Sequence, residues 1–298
     1  MTAILDLAGK KGLVVGIANE HSIAYGCARI FQNAGAQLAI TYLNDKAEPY
    51  VRPLAEQLHA PIILPCNVQD ETQMQALFDS IRQQWGTLDF LLHSIAFAPK
   101  ADLQGRVTDC SKEGFLTAMD ISCHSFIRLA KLAEPLMANG GSMLTVTYMG
   151  SEQVVENYGL MGPVKAALES VVRYLAVDLG DAHIRVNALS PSAMKTRAAS
   201  GIAHFDDLLE ATADKTPLHR SIDLNDIGNM AAFLVSDLAK NITGGVHMID
   251  GGYEVVANAY KSNHSELSKK AIARWENEGG KAAKINQDKG TSCQAKQN

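Results

Sequence analysis

Gly12-Leu-Val-Val-Gly-Ile-Ala-Asn-Glu-His-Ser-Ile-Ala-Tyr-Gly26 decides how this chain starts to fold. Residues 12–15 are small or aliphatic with no polar alternation, the pattern of a strand covered on both faces. From Ile23 the apolar positions take up a helical period, which continues to residue 34, and Gly35 follows as a helix-stopping glycine. The loop between, Gly16 to Ser22, leaves a strand and opens a helix, and that is where a pyrophosphate meets free backbone N–H groups and a positive helix end. Gly16 and Gly26 stand ten residues apart, so the loop is longer than the common G-x-G-x-x-G turn. Ser22, at the helix entrance, reads as its cap and as a phosphate donor.

Outward from this unit the same alternation repeats. Runs at 37–42, 61–66, 88–93, 142–147, 183–189 and 246–249 read as further strands buried on both faces, and 72–85, 115–137, 166–179 and 226–236 carry helical periods. Strands alternating with helices imply an α/β fold: a Rossmann-like, doubly wound parallel sheet. No repeat or linker interrupts residues 1–256, so one dinucleotide-binding catalytic domain is expected there. Beyond it strand signals cease, lysines accumulate, and 257–298 reads as a basic, mobile tail.

Composition narrows the chemistry. A chain of 298 residues, 47% hydrophobic and 20% charged with net charge −5, can bury a large core and lacks the basic field that drives nonspecific nucleic-acid binding. No apolar run nears the roughly 20 residues of a membrane span, and residues 1–11 lack a signal-like stretch, so a cytoplasmic location is expected. The five cysteines are scattered and the nine histidines dispersed, which suggests neither disulfides nor a metal site.

Ligand-facing candidates fall after successive strands, at the carboxyl edge where such sheets bind. After the second strand, Asp45 suits a ribose diol and Lys46 a phosphate, leaving NADH and NADPH both open. After the third, Asn67 and Val68 can stand beside an adenine; after the fourth comes His93-Ser-Ile-Ala-Phe-Ala-Pro99. His93 itself reads as a satisfied strand-end histidine. After the fifth come Tyr148, Tyr158 and Lys165. Seven residues make nearly two helical turns, so Tyr158 and Lys165 can point the same way with roughly 10 Å between their backbones. An ammonium near a phenol favours proton donation by the tyrosine.

Taken together, these residues resemble the short-chain dehydrogenase/reductase superfamily and, within it, the bacterial enoyl-acyl carrier protein reductases. The superfamily carries Tyr-x3-Lys, whereas Tyr158-x6-Lys165 has the spacing of the enoyl reductase branch. Ser22-Ile-Ala-Tyr-Gly26, His93 to Pro99, Asp120-Ile-Ser122, Arg185-Val-Asn187, Thr196-Arg-Ala-Ala-Ser-Gly-Ile202 and Asp250-Gly-Gly252 agree with it. The resemblance covers residues 6 to about 256.

The resemblance implies reduction of the trans-2 double bond of an enoyl thioester on acyl carrier protein, with hydride from NADH or NADPH. Tyr158 would bind the thioester carbonyl and stabilise the oxyanion, Lys165 would hold the nicotinamide ribose, and Tyr148 would line the substrate side. Gly16, Ser22, Ile23, Asn67, Val68, Ile95, Met194, Lys195, Thr196, Arg197 and Ala198 would contact the dinucleotide. Ala98, Met161, Ile202 and Phe205 would face the acyl substrate. Independently of the resemblance, residues 192–215 follow the sixth strand at the ligand-binding edge, with small residues at 198–202 and Phe205, Leu208 and Leu209 at helical spacing, and are expected to form a short, mobile helical lid. The stretches 115–137 and 166–179 carry apolar residues on more than one face, which a monomer would expose, so symmetric packing is expected, and the resemblance implies a homotetramer.

Three departures stand out. Leu43 replaces the glutamine of many relatives, Ser192-Ala193 replaces their Gly-Pro, and Pro163 sits between Tyr158 and Lys165, which places the helix start near 159–162 and Tyr158 at its mouth. Two other readings compete: a carbonyl or alcohol reductase on the same fold, with Thr147 or Ser151 as the partner of the tyrosine, and a dinucleotide sensor without turnover.

Overall fold

A strand with no polar face is stable only between two helical layers, and the computed structural model, which describes residues 5–194, 196 and 215–256, supplies both. Seven parallel strands, β1 (Lys11–Val15), β2 (Gln37–Tyr42), β3 (Ile62–Pro65), β4 (Phe90–His93), β5 (Gly141–Val146), β6 (Ile184–Pro191) and β7 (Val246–Ile249), form one sheet in the order β3-β2-β1-β4-β5-β6-β7. The expected fold class holds. Alternate residues of β1 enter opposite layers: Leu13 and Val15 join Phe78, Phe126 and Leu168 on one side, Val14 joins Phe31, Val51 and Ile227 on the other.

Of the described helices, α1 (Ile23–Asn33), α2 (Glu48–Gln57) and the later α8 (Leu224–Val235) cover one face. The other is covered by α3 (Glu71–Trp85), α5 (Lys112–Met119), α6 (Ser125–Ala133) and α7 (Met161–Asp178), after a one-turn α4 (Lys100–Leu103). Small residues let the layers close. Gly12 pairs with Phe90 across β1 and β4, and a Cβ at Gly12 would lie 2.0 Å from the Phe90 ring, which instead packs edge-on against Phe31 at 4.9 Å. Burying such a ring is worth about 2–3 kcal/mol.

Two expectations are corrected. The helix over 115–137 is unbroken but not uniform: a π-turn, Asp120–His124, lies between α5 and α6, and Glu134–Leu136 ends it as a 3-10 turn at Pro135. Two serine hydroxyls claim backbone groups at the irregularity. Ser125 Oγ donates to the Ile121 carbonyl at 2.6 Å, and Ser122 Oγ reaches the loop after β4. Helix α2, unforeseen, carries Pro49 in its first turn and Pro53 inside, residues that disguise a helical pattern.

The strand order reverses at β1, whose neighbours are β2 and β4. A crevice therefore opens beyond the carboxyl ends of β1 and β4, the ligand-binding position of doubly wound sheets.

Candidate active site

The crevice begins with Gly16. Its φ of +116° and the 2.0 Å that would separate a Cβ from the Ser94 carbonyl oxygen admit no side chain. The loop after β1 can thus press onto the loop after β4, with Ser94 N–H donating to the Val15 carbonyl at 2.9 Å. Ser22 occupies the N-cap position of α1 with extended backbone, but its side chain does not cap the helix. Its hydroxyl instead accepts from the N–H groups of Ala18 and Asn19 at 3.0 and 3.1 Å. Ser22 therefore shapes the loop, which corrects the expected capping role; its carbonyl accepts from Tyr25 N–H at 3.0 Å, and the N–H groups of Ile23 and Ala24 before it are the ones placed for a ligand.

The loop after β3 is held from behind. Asn67 Oδ1 accepts from Gln69 N–H within its own turn, and the carbonyl of the buried Val68 accepts from Arg128 Nη2 at 2.7 Å. Arg128 is paired in turn with Asp120 at 2.7 Å. The loop after β4 is clamped by the π-turn: Ser122 Oγ accepts from Phe97 N–H at 2.9 Å and donates to its carbonyl at 3.0 Å. This fixes the backbone between the half-buried Ile95 and the buried Ala98. Asp45, Lys46 and Leu43 are all exposed after β2.

Tyr148 and Tyr158 meet at 4.9 Å between ring centroids, inclined by 60°. Helix α7 begins at Met161, so Pro163 falls in its first turn and Tyr158 stands just before it, as expected. Gly150, a position the sequence reading missed, lies beneath the Tyr158 ring, 2.5 Å from where its Cβ would be. Burial, then Tyr148 and Glu169, push the Tyr158 phenol well above its usual value, and burial, then Tyr253, raise Tyr148 to about 12. Lys165 is not among the causes acting on Tyr158. Burial rather than the ammonium therefore governs this phenol, and Tyr158 stays protonated.

Lys165 is 4% exposed and uses one N–H of its ammonium on the Val146 carbonyl at 2.7 Å. Burial pulls it down from 10.5 to about 8, against the opposing pull of Cys123 and Glu169. His93 is fully buried and bonded at both ring nitrogens, to Thr145 Oγ1 and Ser125 Oγ at 2.8 Å each. Because Ser125 donates to Ile121, it must accept from His93 Nε2–H, which assigns the tautomer. Burial first and Lys165 second hold His93 at about 3, so it is the neutral strand-end histidine expected.

Ile23, Ala98, Tyr148, Tyr158, Met161, Lys165, Met194 and Thr196 line one cavity at the carboxyl edge of the sheet, with Ser192 and Ala193 on its wall. Gly16, Ser22, Asn67, Val68 and Ile95 border the loops behind it rather than its lining. Lys195, Arg197, Ala198, Ile202 and Phe205 lie outside the described residues, as do most of 192–215 and all of 257–298. Among the described residues there is no metal-ligand cluster and no helix long and apolar enough to cross a membrane. Cys27 and Cys66 are buried thiols raised to about 12 by that burial.

Known proteins share this arrangement. Residues 16–254 match the model of a family described as enoyl-(acyl carrier protein) reductase. The chain is 47% identical over 256 residues to enoyl-acyl-carrier-protein reductase (NADH) FabI of a Synechocystis species, covering 85% of this chain and 99% of that one. A crystal structure of the Anaplasma phagocytophilum reductase in complex with NAD superposes with TM-score 0.82 at 46% identity, covering 86% of this chain and 97% of the other. The Bacillus cereus enzyme, solved with NADP+ and an indole naphthyridinone, gives TM-score 0.82 at 43% identity, with 84% and 98% covered. With a family model matched over most of its length and relatives this similar end to end, the chain belongs to the enoyl-acyl carrier protein reductases of the short-chain dehydrogenase/reductase superfamily.

Proposed function

We propose that this chain is an NADH-dependent enoyl-acyl carrier protein reductase in which Tyr158 and Lys165 divide the work, Tyr158 acting on substrate and Lys165 on cofactor. The observation that carries this is one cavity lined by a protonated buried phenol, a second tyrosine against it and a buried lysine.

The residues present fit a dinucleotide. Gly16 gives a phosphate close access to backbone, the N–H groups of Ile23 and Ala24 at the start of α1 are not capped by the Ser22 side chain, and Lys165 has donors beyond the one spent on Val146. Bound NADH supplies the hydride for the β-carbon of the enoyl thioester. Tyr158 donates a hydrogen bond to the thioester carbonyl, an interaction that strengthens as negative charge develops there. Its raised pKa suits donation without full transfer, since the phenolate is disfavoured in so dry a place. Lys165 holds the ribose hydroxyls, Tyr148 restricts the Tyr158 ring, and Ala98 and Met161 exclude water beside the acyl group. Lys195, Thr196, Arg197 and Ala198 are proposed for the cofactor, and Ile202 and Phe205 for the acyl chain, on the resemblance alone.

Thr147 argues against the carbonyl reductase reading, because its hydroxyl is committed to Glu169 at 2.6 Å and does not pair with Tyr158. Assembly as a homotetramer is part of the proposal. Phe115 and Leu116 on α5, and Tyr174 and Val177 on α7, at 72% and 79% exposure, are apolar surfaces suited to symmetric contacts. So is division of the chain into a catalytic domain to 256 and a tail beyond, and cytoplasmic residence beside water-soluble NADH and acyl carrier protein. The test is oxidation of NADH, and separately NADPH, with crotonyl and longer enoyl thioesters. Loss of reduced-nicotinamide absorbance is expected with NADH, and none with any thioester and either cofactor would overturn the reading.

A further inference from the structure

Lys165 and Glu169 leave α7 one helical turn apart and reach successive residues at the end of β5. Lys165 Nζ donates to the Val146 carbonyl at 2.7 Å, and Glu169 accepts from Thr147 Oγ1 at 2.6 Å. Glu169 is 3% exposed, a carboxylate on the buried face of a helix whose inward residues, Lys165 apart, are apolar, Val164, Leu168 and Val172 among them. A charge taken out of water on an apolar face costs several kcal/mol unless it is used. No ion pair joins Glu169 to Lys165 directly, since their nitrogen and oxygen atoms are not within 4.0 Å among the described contacts. The carboxylate is instead fixed by Thr147, the residue between Lys165's anchor, Val146, and Tyr148.

We propose that Glu169 is a positioning residue for the reaction: through Thr147 it clamps the end of β5 that carries the Lys165 anchor and Tyr148, and it stands one helical turn from Lys165 as its buried countercharge. The groups facing Lys165 are few. From α7 it feels Glu169, from the π-turn Cys123, and it acts in turn on neutral His93 of β4; Tyr158, ahead of α7, feels Glu169 and Tyr148. Glu169 is the one carboxylate among them. Burial already draws Lys165 toward the neutral form, and without that carboxylate the donor that holds the ribose would be lost nearer neutral pH. This inference rests on Lys165 binding the cofactor.

Glu169→Gln keeps an acceptor for Thr147 and removes the charge. NADH binding, followed by nicotinamide fluorescence against pH, should show its alkaline limb displaced about one pH unit toward acid, so that the NADH Kd rises about tenfold at pH 9 and about twofold at pH 7. Thr147→Val breaks the clamp and keeps the charge. Here the limb should stay in place while kcat falls about tenfold at every pH, and Thr147→Ser should restore it. A limb unmoved in Glu169→Gln overturns the charge role, and an unchanged kcat in Thr147→Val overturns the clamp. If Glu169→Gln does not fold, the limb is read instead in Glu169→Asp, which keeps the charge and should leave it in place; a displacement of one unit there overturns the proposal. Failure of the underlying reading looks different: Lys165→Ala would then bind NADH as tightly as the wild type.

Discussion

Replacing Lys165 by methionine should make the protein more stable and less able to bind its cofactor. The lysine's fall from 10.5 to about 8 measures how poorly the fold tolerates the ammonium. At about 1.4 kcal/mol per pH unit it corresponds to about 3 kcal/mol at pH 7, with the attraction of Glu169 already included. Methionine fills nearly the same space without charge, but the Val146 carbonyl loses its Lys165 donor, at a cost of about 1 kcal/mol. The balance, about 2 kcal/mol, should raise Tm by about 4–8 °C in a domain of this size. The sign depends on pH. Between pH 8 and 10.5 the unfolded chain holds a proton on Lys165 that the folded chain has released, so wild-type stability from this group rises with pH. Calorimetry of cofactor-free protein should therefore show Lys165→Met melting higher at pH 7, with the gap closing toward pH 10.5. A variant that melts lower at pH 7, or a gap unchanged across that window, would refute the reasoning.

Tyr158→Phe should lower kcat by about a hundredfold or more while NADH Kd moves less than about twofold, because its hydroxyl matters most as charge develops on the substrate; Lys165→Ala should show the opposite split in steady-state kinetics and fluorescence titration. Gly16→Ala forces a Cβ onto the Ser94 carbonyl at a positive φ; it should cost about 2 kcal/mol or more and abolish detectable NADH binding by titration calorimetry. His93, held at about 3 in the folded chain, takes up its proton in the unfolded chain first as pH falls through 6.5. Its contribution is thus present above 6.5 and lost toward 3, and His93→Asn should flatten that part of the stability curve in acid titration by circular dichroism. Tyr174→Asp on α7 should lower the mass found by light scattering if that face joins subunits, and an unchanged tetramer mass would remove this face from the assembly.

The sheet was legible in the sequence because its signal is local and chemical. Seven apolar runs without alternation can only be strands between two layers, and Gly16 to Ser22 between the first run and the first helix marks the strand-to-helix turn where the crevice begins. Tyr148, Tyr158 and Lys165 were legible through their spacing, and Pro163 placed the helix start correctly because a missing N–H is tolerated only in the first turn. What holds Tyr158 protonated was not. Whether a lysine lowers a phenol or burial raises it depends on distances and dry volume set by Gly150, Tyr148 and the packing of α7. Ser22 looks like a cap in any alignment of residues with helix rules, and only the folded loop turns its hydroxyl back onto Ala18 and Asn19. The π-turn, and the use of Ser122 to hold Phe97, join segments 25 residues apart in the chain. The pairing of Glu169 with Thr147 joins residues 22 apart. Periodicity describes one element at a time, whereas these bonds exist only once β5 and α7 lie side by side, so tertiary structure alone decides them.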